Sequence, residues 1–115
     1  MVKRSPRLGE WGEERALEFL KRQGYRIIAR NYRWRGGEID IIARDGNCLV
    51  FIEVKSRGDE EFAPAEEALT SEKRERLIRT ARHYIASHRP GVDLRFDVVA
   101  IVGEEVRLYK DAFRL

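Results

Sequence analysis

The sequence predicts an α/β fold in which a mixed β-sheet is flanked by two helices, in the chain order α-β-β-β-α-β-β. Apolar residues recur at helical spacing over residues 8–23 and over the segment from Thr70 to Pro90. Apolar and β-branched runs predict five strands, at residues 25–34, 39–43, 49–54, 94–102 and 106–109. No internal repeat and no linker separates these elements, so residues 1–115 are expected to form a single domain.

The first helix is predicted by an apolar stripe, and Gly24 provides a stop at its C-terminus. The members of the stripe are Leu8, Trp11, Gly12, Ala16, Phe19 and Leu20. Glu13 lies at the edge of this stripe, near Leu20, whereas Glu14 points away from it. A helix glutamate that points away is typical of a solvated partner for a nearby arginine, and this interpretation suits Glu14.

The first strand, Tyr25–Trp34, carries Ile27 and Ile28 as its expected core residues. Around them, arginines interleave with aromatic residues and no acid falls among them: Arg26, Arg30, Arg33 and Arg35 with Tyr25, Tyr32 and Trp34. Arginine contacts phosphates, and aromatic rings stack on exposed bases. The same charges equally suit an edge strand that avoids pairing with another sheet. Both interpretations stay open.

The second and third strands are joined by Asp45-Gly46, a strong signal for a β-hairpin. The third strand is apolar on both faces, which indicates that it is covered on both sides. Gly36-Gly37 provides a flexible turn into the hairpin. Four charged residues, Glu38, Asp40, Glu53 and Lys55, interrupt these otherwise apolar strands.

The alternation of side chains along a strand predicts where these charges lie. Glu38 shares a face with Asp40, and Glu53 shares a face with Lys55. A two-residue loop would place Glu38 opposite Glu53, and a four-residue loop would place Asp40 opposite Glu53. Both registers gather the polar groups on one face, whereas a three-residue loop would separate them.

Three carboxylates on a half-buried face repel one another. A bound divalent cation such as Mg²⁺ or Mn²⁺ would remove the repulsion, because hard cations prefer oxygen ligands. Lys55 beside them could orient a water molecule or stabilise developing negative charge. The alternative is a structural cluster in which Lys55 serves as the counter-ion.

The second helix is capped by Thr70 or Ser71 and carries a strongly basic face. Within residues 73–82 its cations are Lys73, Arg74, Arg76, Arg79 and Arg82, against the single acid Glu75. A charged face is usually only solvated, but this excess favours contact with phosphates. The polar residues 56–65, which leave the acidic cluster directly, predict a loop that faces the substrate. Asp97, an isolated acid in the fourth strand, is interpreted as structural.

Composition limits the classes of function. With 43% hydrophobic and 37% charged residues among 115, the chain is expected to be globular and soluble. It has no apolar run of membrane-spanning length and no signal-peptide pattern, so no membrane association is expected. A lone cysteine, Cys48, fits a cytoplasmic location. The net charge is only +3, but residues 1–40 hold ten Lys or Arg and six Asp or Glu, which is compatible with a polyanionic partner.

Three segments carry a family resemblance that covers nearly the whole chain. Asp40 followed by Glu53-Val54-Lys55 resembles the Asp…Glu-x-Lys core of the PD-(D/E)xK nuclease superfamily. Gly37-Glu38-Ile39-Asp40, with Phe51-Ile52-Glu53-Val54-Lys55-Ser56-Arg57 and Arg95-Phe96-Asp97-Val98-Val99, resembles more closely the YraN-like family of small uncharacterised bacterial proteins, which is similar to archaeal Holliday-junction resolvases. One departure is Ile39, where the superfamily often has a proline.

The resemblance implies a restriction-endonuclease-like fold and a metal-dependent endonuclease that hydrolyses DNA, including branched or unusual structures. Asp40 and Glu53 would ligate Mg²⁺ or Mn²⁺, with Glu13 as a further ligand. Lys55 would orient the attacking water or neutralise charge, and Glu38 would be an accessory carboxylate. The residues expected to contact nucleic acid are Arg33, Trp34, Arg57, Lys73 and Arg76.

Two other functions remain open. The chain could be a non-catalytic nucleic-acid-binding module or a partner subunit that keeps the nuclease fold. Its acids could instead form only a structural salt-bridge network. That interpretation gives no reason why the acids share a face of the hairpin. By analogy alone, a homodimer with two active sites would suit a four-way DNA junction.

Overall fold

A computed structural model describes residues 8–57 and 70–114, which form two helices and five strands in the predicted order. The elements are α1 (Leu8–Arg22), β1 (Arg26–Trp34), β2 (Gly37–Asp45), β3 (Cys48–Arg57), α2 (Ser71–His88), β4 (Asp93–Val102) and β5 (Glu105–Phe113). The predicted fold class is confirmed. Most of the predicted loop of residues 56–65 lies outside the described residues. No helix in the described ranges is long and apolar enough to cross a membrane.

The strands form one sheet in the order β1-β2-β3-β4-β5. Neighbouring strands are antiparallel except β3 and β4, which are parallel. Parallel strands need a long crossover connection, and α2 lies on the connection between β3 and β4. This crossover places α2 on one face of the sheet, and α1 lies on the other face.

The hairpin turn differs from the prediction by one residue. Asp45 pairs with Cys48, so the two loop residues are Gly46-Asn47 and not Asp45-Gly46. Gly46 has a φ of +62°, and at the first central position of a two-residue loop a glycine adopts this conformation without a Cβ penalty. The shift produces the register that a four-residue loop would have given, and it brings Asp40 to the level of Glu53 and Val54.

Each helix covers one face of the sheet with its own core. On one face, α1 packs Ala16, Leu17 and Leu20 against Ile41 and Ile52. On the other face, α2 packs against Phe51 and its neighbours. The strand β3 is thus buried on both faces, as its continuous apolar sequence predicted.

Two glycines allow close approach of the helices beside the predicted site. A Cβ at Gly12 of α1 would collide with the Ser56 hydroxyl of β3. A Cβ at Gly37 of β2 would collide with the Thr80 hydroxyl of α2 and lie 3.1 Å from the Arg76 carbonyl oxygen. These contacts fix how deeply both helices sit, and therefore where their polar side chains reach the sheet.

Two apolar residues do not lie in the core as predicted. Trp11 is 57% exposed, because the buried stripe of α1 is centred on Ala16 and Leu20 and Trp11 lies on the opposite side of the helix. Ile28 is 42% exposed, because a register shift between Ile27 and Ala29 turns it out of the sheet. The strand β1 is at the edge of the sheet, as one of its two interpretations required.

Asp97 is structural, as expected. Its carboxylate is 1% exposed and accepts hydrogen bonds from the Tyr25 hydroxyl at 2.7 Å and from Arg95 Nε at 2.8 Å. The backbone N–H of Asp111 donates to it at 3.0 Å, and Arg95 also binds Asp45 at 2.8 Å. This network links Tyr25, just before β1, to β4 and β5 and, through Arg95, to the end of β2. Asp97 therefore belongs to this network and not to the acidic cluster.

Candidate active site

The site lies where β2 and β3 separate. The two strands pair from Asp45 and Cys48 up to Ile41 and Ile52. One residue further, the Asp40 carboxylate accepts a hydrogen bond at 2.8 Å from the backbone N–H of Val54. A side-chain oxygen therefore takes the place of a backbone acceptor, and this bond fixes the Asp40 carboxylate beside Glu53.

Asp40 and Glu53 are neighbouring, partly buried acids. Burial, and then the charge of Asp40, raises the pKa of Glu53 to about 7. Burial also raises the pKa of Asp40, although the Val54 hydrogen bond opposes this. The raised pKa of Glu53 indicates that a second negative charge beside Asp40 is unfavourable in this position.

Lys55 compensates only part of this charge. Its Nζ lies 3.7 Å from Glu53 Oε1, which is an ion-pair contact but too long for a good hydrogen bond. The two side chains are only 17% and 16% exposed. Lys55 is therefore placed beside the acids, on the same face of β3 as Glu53, as the alternation of side chains predicted.

Asn31 joins the two remaining predicted acids. With its amide nitrogen turned towards them, Asn31 donates to Glu13 Oε1 at 3.0 Å and to Glu38 Oε1 at 2.9 Å. Burial, and then the charge of Asp40, raises the pKa of Glu13. Asn31 was not predicted as a site residue, although asparagine is uncommon in strands and tolerates the left-handed conformation that it adopts here, with a φ of +52°.

Glu14 matches its expected role. It forms an ion pair with Arg30 at 2.9 Å and its side chain is 62% exposed. The neighbouring Glu13 instead faces the acidic cluster. The predicted contrast between these two helix glutamates is therefore present in the structure.

The donor set fits a hard divalent cation held by few protein ligands. Within residues 8–57 and 70–114, no group of three or more His, Cys, Asp or Glu side chains is close enough together to hold a metal ion. Asp40 and Glu53 form a pair, and Mg²⁺ commonly uses one or two carboxylates together with water and substrate phosphate. Glu13 as a third ligand stays a prediction.

A basic rim adjoins the acids on the α2 side. Lys73 and Arg76 line a cavity of about 260 Å³ together with Glu38, Glu53 and the Gly36-Gly37 turn. A larger cavity of about 470 Å³ lies around Arg95 and Asp111 at another part of the sheet. We assign no chemistry to the larger cavity, because Arg95 is already engaged by Asp45 and Asp97.

The β1–β2 turn brings the other predicted nucleic-acid contacts next to this rim. Arg33 is exposed and lies 3.4 Å from Glu38. Trp34 is half-buried, because its ring stacks on His83 at a centroid distance of 4.5 Å, and the Arg35 guanidinium lies 5.1 Å from the same ring. Trp34 is thus less free to stack on a base than the sequence suggested. The side chain of Arg57 lies outside the described part of the structure.

Comparison with solved structures agrees with this architecture. The chain is similar to Hjc of Archaeoglobus fulgidus, described as a Holliday junction resolvase from an archaeal hyperthermophile. The TM-score is 0.56 and the identity 21%, over 87% of this chain and 74% of that one. At this level of identity the similarity establishes the fold.

Sequence comparison identifies much closer relatives. A UPF0102 protein of Symbiobacterium thermophilum is 52% identical over 84% of this chain and 83% of its own length. A UPF0102 protein of Dechloromonas aromatica is 46% identical over 91% of this chain and 87% of its own. The model of the uncharacterised protein family UPF0102 matches residues 12–101, which include every predicted site residue. The predicted resemblance is confirmed, and the chain belongs to the UPF0102 family.

Proposed function

We propose that this protein is a metal-dependent endonuclease that hydrolyses phosphodiester bonds in DNA. The observation that carries the proposal is the hydrogen bond from Val54 to Asp40, which holds one partly buried carboxylate beside a second, Glu53. Adjacent, partly buried negative charges repel each other, and a bound divalent cation would relieve this repulsion. The fold shared with Hjc supports the same assignment by analogy.

Each side chain in the proposed site has a role that follows from its position. Asp40 and Glu53 would hold Mg²⁺ or Mn²⁺, and the bound ion would supply an activated water and stabilise the leaving oxygen. Lys55 would orient the water or neutralise charge on the phosphate, since it is held 3.7 Å from Glu53 and nearly buried. Glu38 and Glu13, bridged by Asn31, would act as accessory carboxylates that orient the site from its other side.

The proposed substrate is DNA, and branched DNA in particular. Cations on two elements surround the acids, namely Arg33 on β1 and Lys73 and Arg76 on α2. Contacts to phosphates position a nucleic acid without reading its sequence. Branched DNA is favoured by the described activity of Hjc, and a homodimer with two sites would match a four-way junction.

The proposal predicts divalent-ion-dependent cleavage by the purified protein. Labelled four-way, duplex and single-stranded DNA would be incubated with Mn²⁺, Mg²⁺, Ca²⁺ or EDTA. We expect cleavage in Mn²⁺ or Mg²⁺ only, and a loss of at least about a hundredfold in Glu53→Gln. Glu14→Gln is the matched control, because this exposed acid pairs with Arg30 away from the cluster, and it should cleave normally.

A non-catalytic DNA-binding role is the second candidate. It would keep the basic residues Lys73 and Arg76 in use as phosphate contacts without requiring a metal ion. The same assay separates the two functions. Binding of DNA without cleavage in any divalent ion would establish the binding module, and binding of none of the three DNAs at low salt would contradict both functions.

A further inference from the structure

The strand β2 changes faces at Asp40. Side chains alternate along a regular strand, so Ile39 and Ile41 would be expected on the same face of the sheet. Ile39 instead packs in the core under α2, and Ile41 packs in the core under α1. Between them, the Asp40 carboxylate accepts its hydrogen bond from the backbone N–H of Val54 on β3. The break in alternation therefore accompanies the turn of Asp40 towards β3.

The neighbouring strand β1 changes faces at the same level. The Arg30 side chain forms its ion pair with a glutamate of α1, whereas the Tyr32 hydroxyl is hydrogen-bonded to a histidine of α2 at 2.7 Å. Asn31 separates these two residues and lies at the level of Asp40, because the residues on either side are partners across the two strands: Arg30 with Ile41 and Tyr32 with Ile39. Both strands thus turn together at one point of the sheet.

The backbone of Asn31 suits this shared turn. Its φ of +52° lies in the left-handed region, which interrupts the regular pleat of a strand and which asparagine tolerates better than most residues. The side chain of Asn31 is exposed, so water could satisfy its amide if the residue served only to shape β1. The contacts of that amide therefore decide whether Asn31 has a second role.

The Asn31 amide connects three elements around the acids. Turned towards them, its nitrogen donates at 3.0 Å to Glu13 on α1 and at 2.9 Å to Glu38 on β2. A primary amide has two N–H donors, so both of them are used here. A neutral donor holds two carboxylates near each other without adding a positive charge that would compete with a bound cation.

We propose that Asn31 is a positioning residue, whose amide holds Glu13 and Glu38 in place around the Asp40 and Glu53 site and so supports the binding of the divalent cation. This inference rests on the proposed function and deepens it. Asn31 acts through the two glutamates and touches neither the cation nor the DNA.

Variants that keep the left-handed backbone test the role of the amide. Asn31→Gly adopts this conformation without strain and lacks the side chain. Mn²⁺ dissociation constants would be measured from the electron paramagnetic resonance signal of the free ion, and stability from urea unfolding in EDTA. We expect Asn31→Gly to weaken Mn²⁺ binding about 10- to 100-fold while the urea midpoint changes little. Asp111→Gly is the matched control, because Asp111 is a strand residue with the same backbone conformation outside the acidic site, and it should bind Mn²⁺ normally.

A second background separates positioning from a general structural effect. In Glu13→Gln/Glu38→Gln, the further change Asn31→Gly should not weaken Mn²⁺ binding, because the charged groups through which Asn31 acts are already gone. Crystals of Asn31→Gly grown in EDTA provide a readout without metal, and we expect the Glu13 and Glu38 carboxylates to lie further apart than in the wild type.

Three outcomes would overturn the inference. They are wild-type Mn²⁺ affinity in Asn31→Gly, glutamate carboxylates that keep their positions in its crystals, and an equal loss of affinity in the Glu13→Gln/Glu38→Gln background. Neither readout needs DNA, so a wild type that binds Mn²⁺ without cleaving contradicts the nuclease proposal while both readouts still decide this one. If the wild type binds no Mn²⁺, the support of a cation by Asn31 is contradicted together with the proposed function.

Discussion

Asp40→Asn is expected to abolish cleavage and yet leave the metal-free protein as stable as the wild type, or more stable. Asparagine keeps the size of the side chain and an oxygen that can accept the hydrogen bond from Val54. It replaces a partly buried carboxyl group, whose pKa is raised by burial and by the charge of Glu38, with a neutral amide. Loss of a metal ligand should reduce the cleavage rate by at least about a hundredfold.

Urea unfolding in EDTA, alongside the Mn²⁺-dependent cleavage assay, measures both effects. Asp111→Asn is the matched control, since Asp111 forms an ion pair with Arg114 at 2.6 Å and its side chain is 38% exposed. That variant should cleave normally. A marked loss of stability in Asp40→Asn without metal would instead support the structural salt-bridge interpretation.

Mn²⁺ is expected to raise the melting temperature of the wild type, because a ligand that binds only the native state stabilises it. At about ten times the dissociation constant the gain is about 1.4 kcal/mol. For a domain of this size that corresponds to roughly 5 °C. Asp40→Asn and Glu53→Gln should show little or no shift.

The helix glutamates provide an internal comparison for this experiment. Glu13 faces the cluster through Asn31, whereas Glu14 is exposed and bound to Arg30. Glu13→Gln should therefore reduce the Mn²⁺-induced shift, and Glu14→Gln should not. Equal shifts in both variants would remove Glu13 from the proposed site and leave Asp40 and Glu53 as its two carboxylates.

The common face of Glu53 and Lys55 could be predicted from sequence, because side chains alternate along β3. Asp40 still lies near Glu53 although the turn moved to Gly46-Asn47, since the change preserved parity. Alternation breaks around Asp40 itself, because Ile39 packs in the core under α2 and Ile41 in the core under α1, and the sequence did not indicate this break. The element order was equally accessible, because long apolar runs and glycine turns identify strands and helices without knowledge of their neighbours.

Contacts between distant segments could not be predicted in this way. The stacking of Trp34 on His83 depends on how α2 crosses β1, and the position of Lys73 in the cavity beside Glu53 depends on how closely α2 approaches β2. Gly37 permits that approach, but a glycine in a sequence does not indicate which helix it will meet. Trp11 was placed in the core for a similar reason. The apolar residues of α1 span a wide arc, and the sequence did not indicate which part of that arc packs on the sheet.

The structural salt-bridge interpretation explains less of the geometry than a metal site does. A stabilising network would satisfy its charges, as Arg95 does for Asp97 at 2.8 Å. Among the described residues, the cation that pairs with Asp40 or Glu53 is Lys55, and its contact with Glu53 is long, at 3.7 Å. The comparison of these two networks within one protein favours a site that is completed by a bound ion.

The central claim is that Asp40 and Glu53 together bind a divalent cation, and crystals soaked in Mn²⁺ test it most directly. Anomalous diffraction locates manganese without reference to activity or to a substrate. The proposed function predicts an anomalous peak between the Asp40 and Glu53 carboxylates, which is absent from crystals of Asp40→Asn. Saturating Mn²⁺ that leaves this position without a peak, while Lys55 stays paired with Glu53, would contradict it.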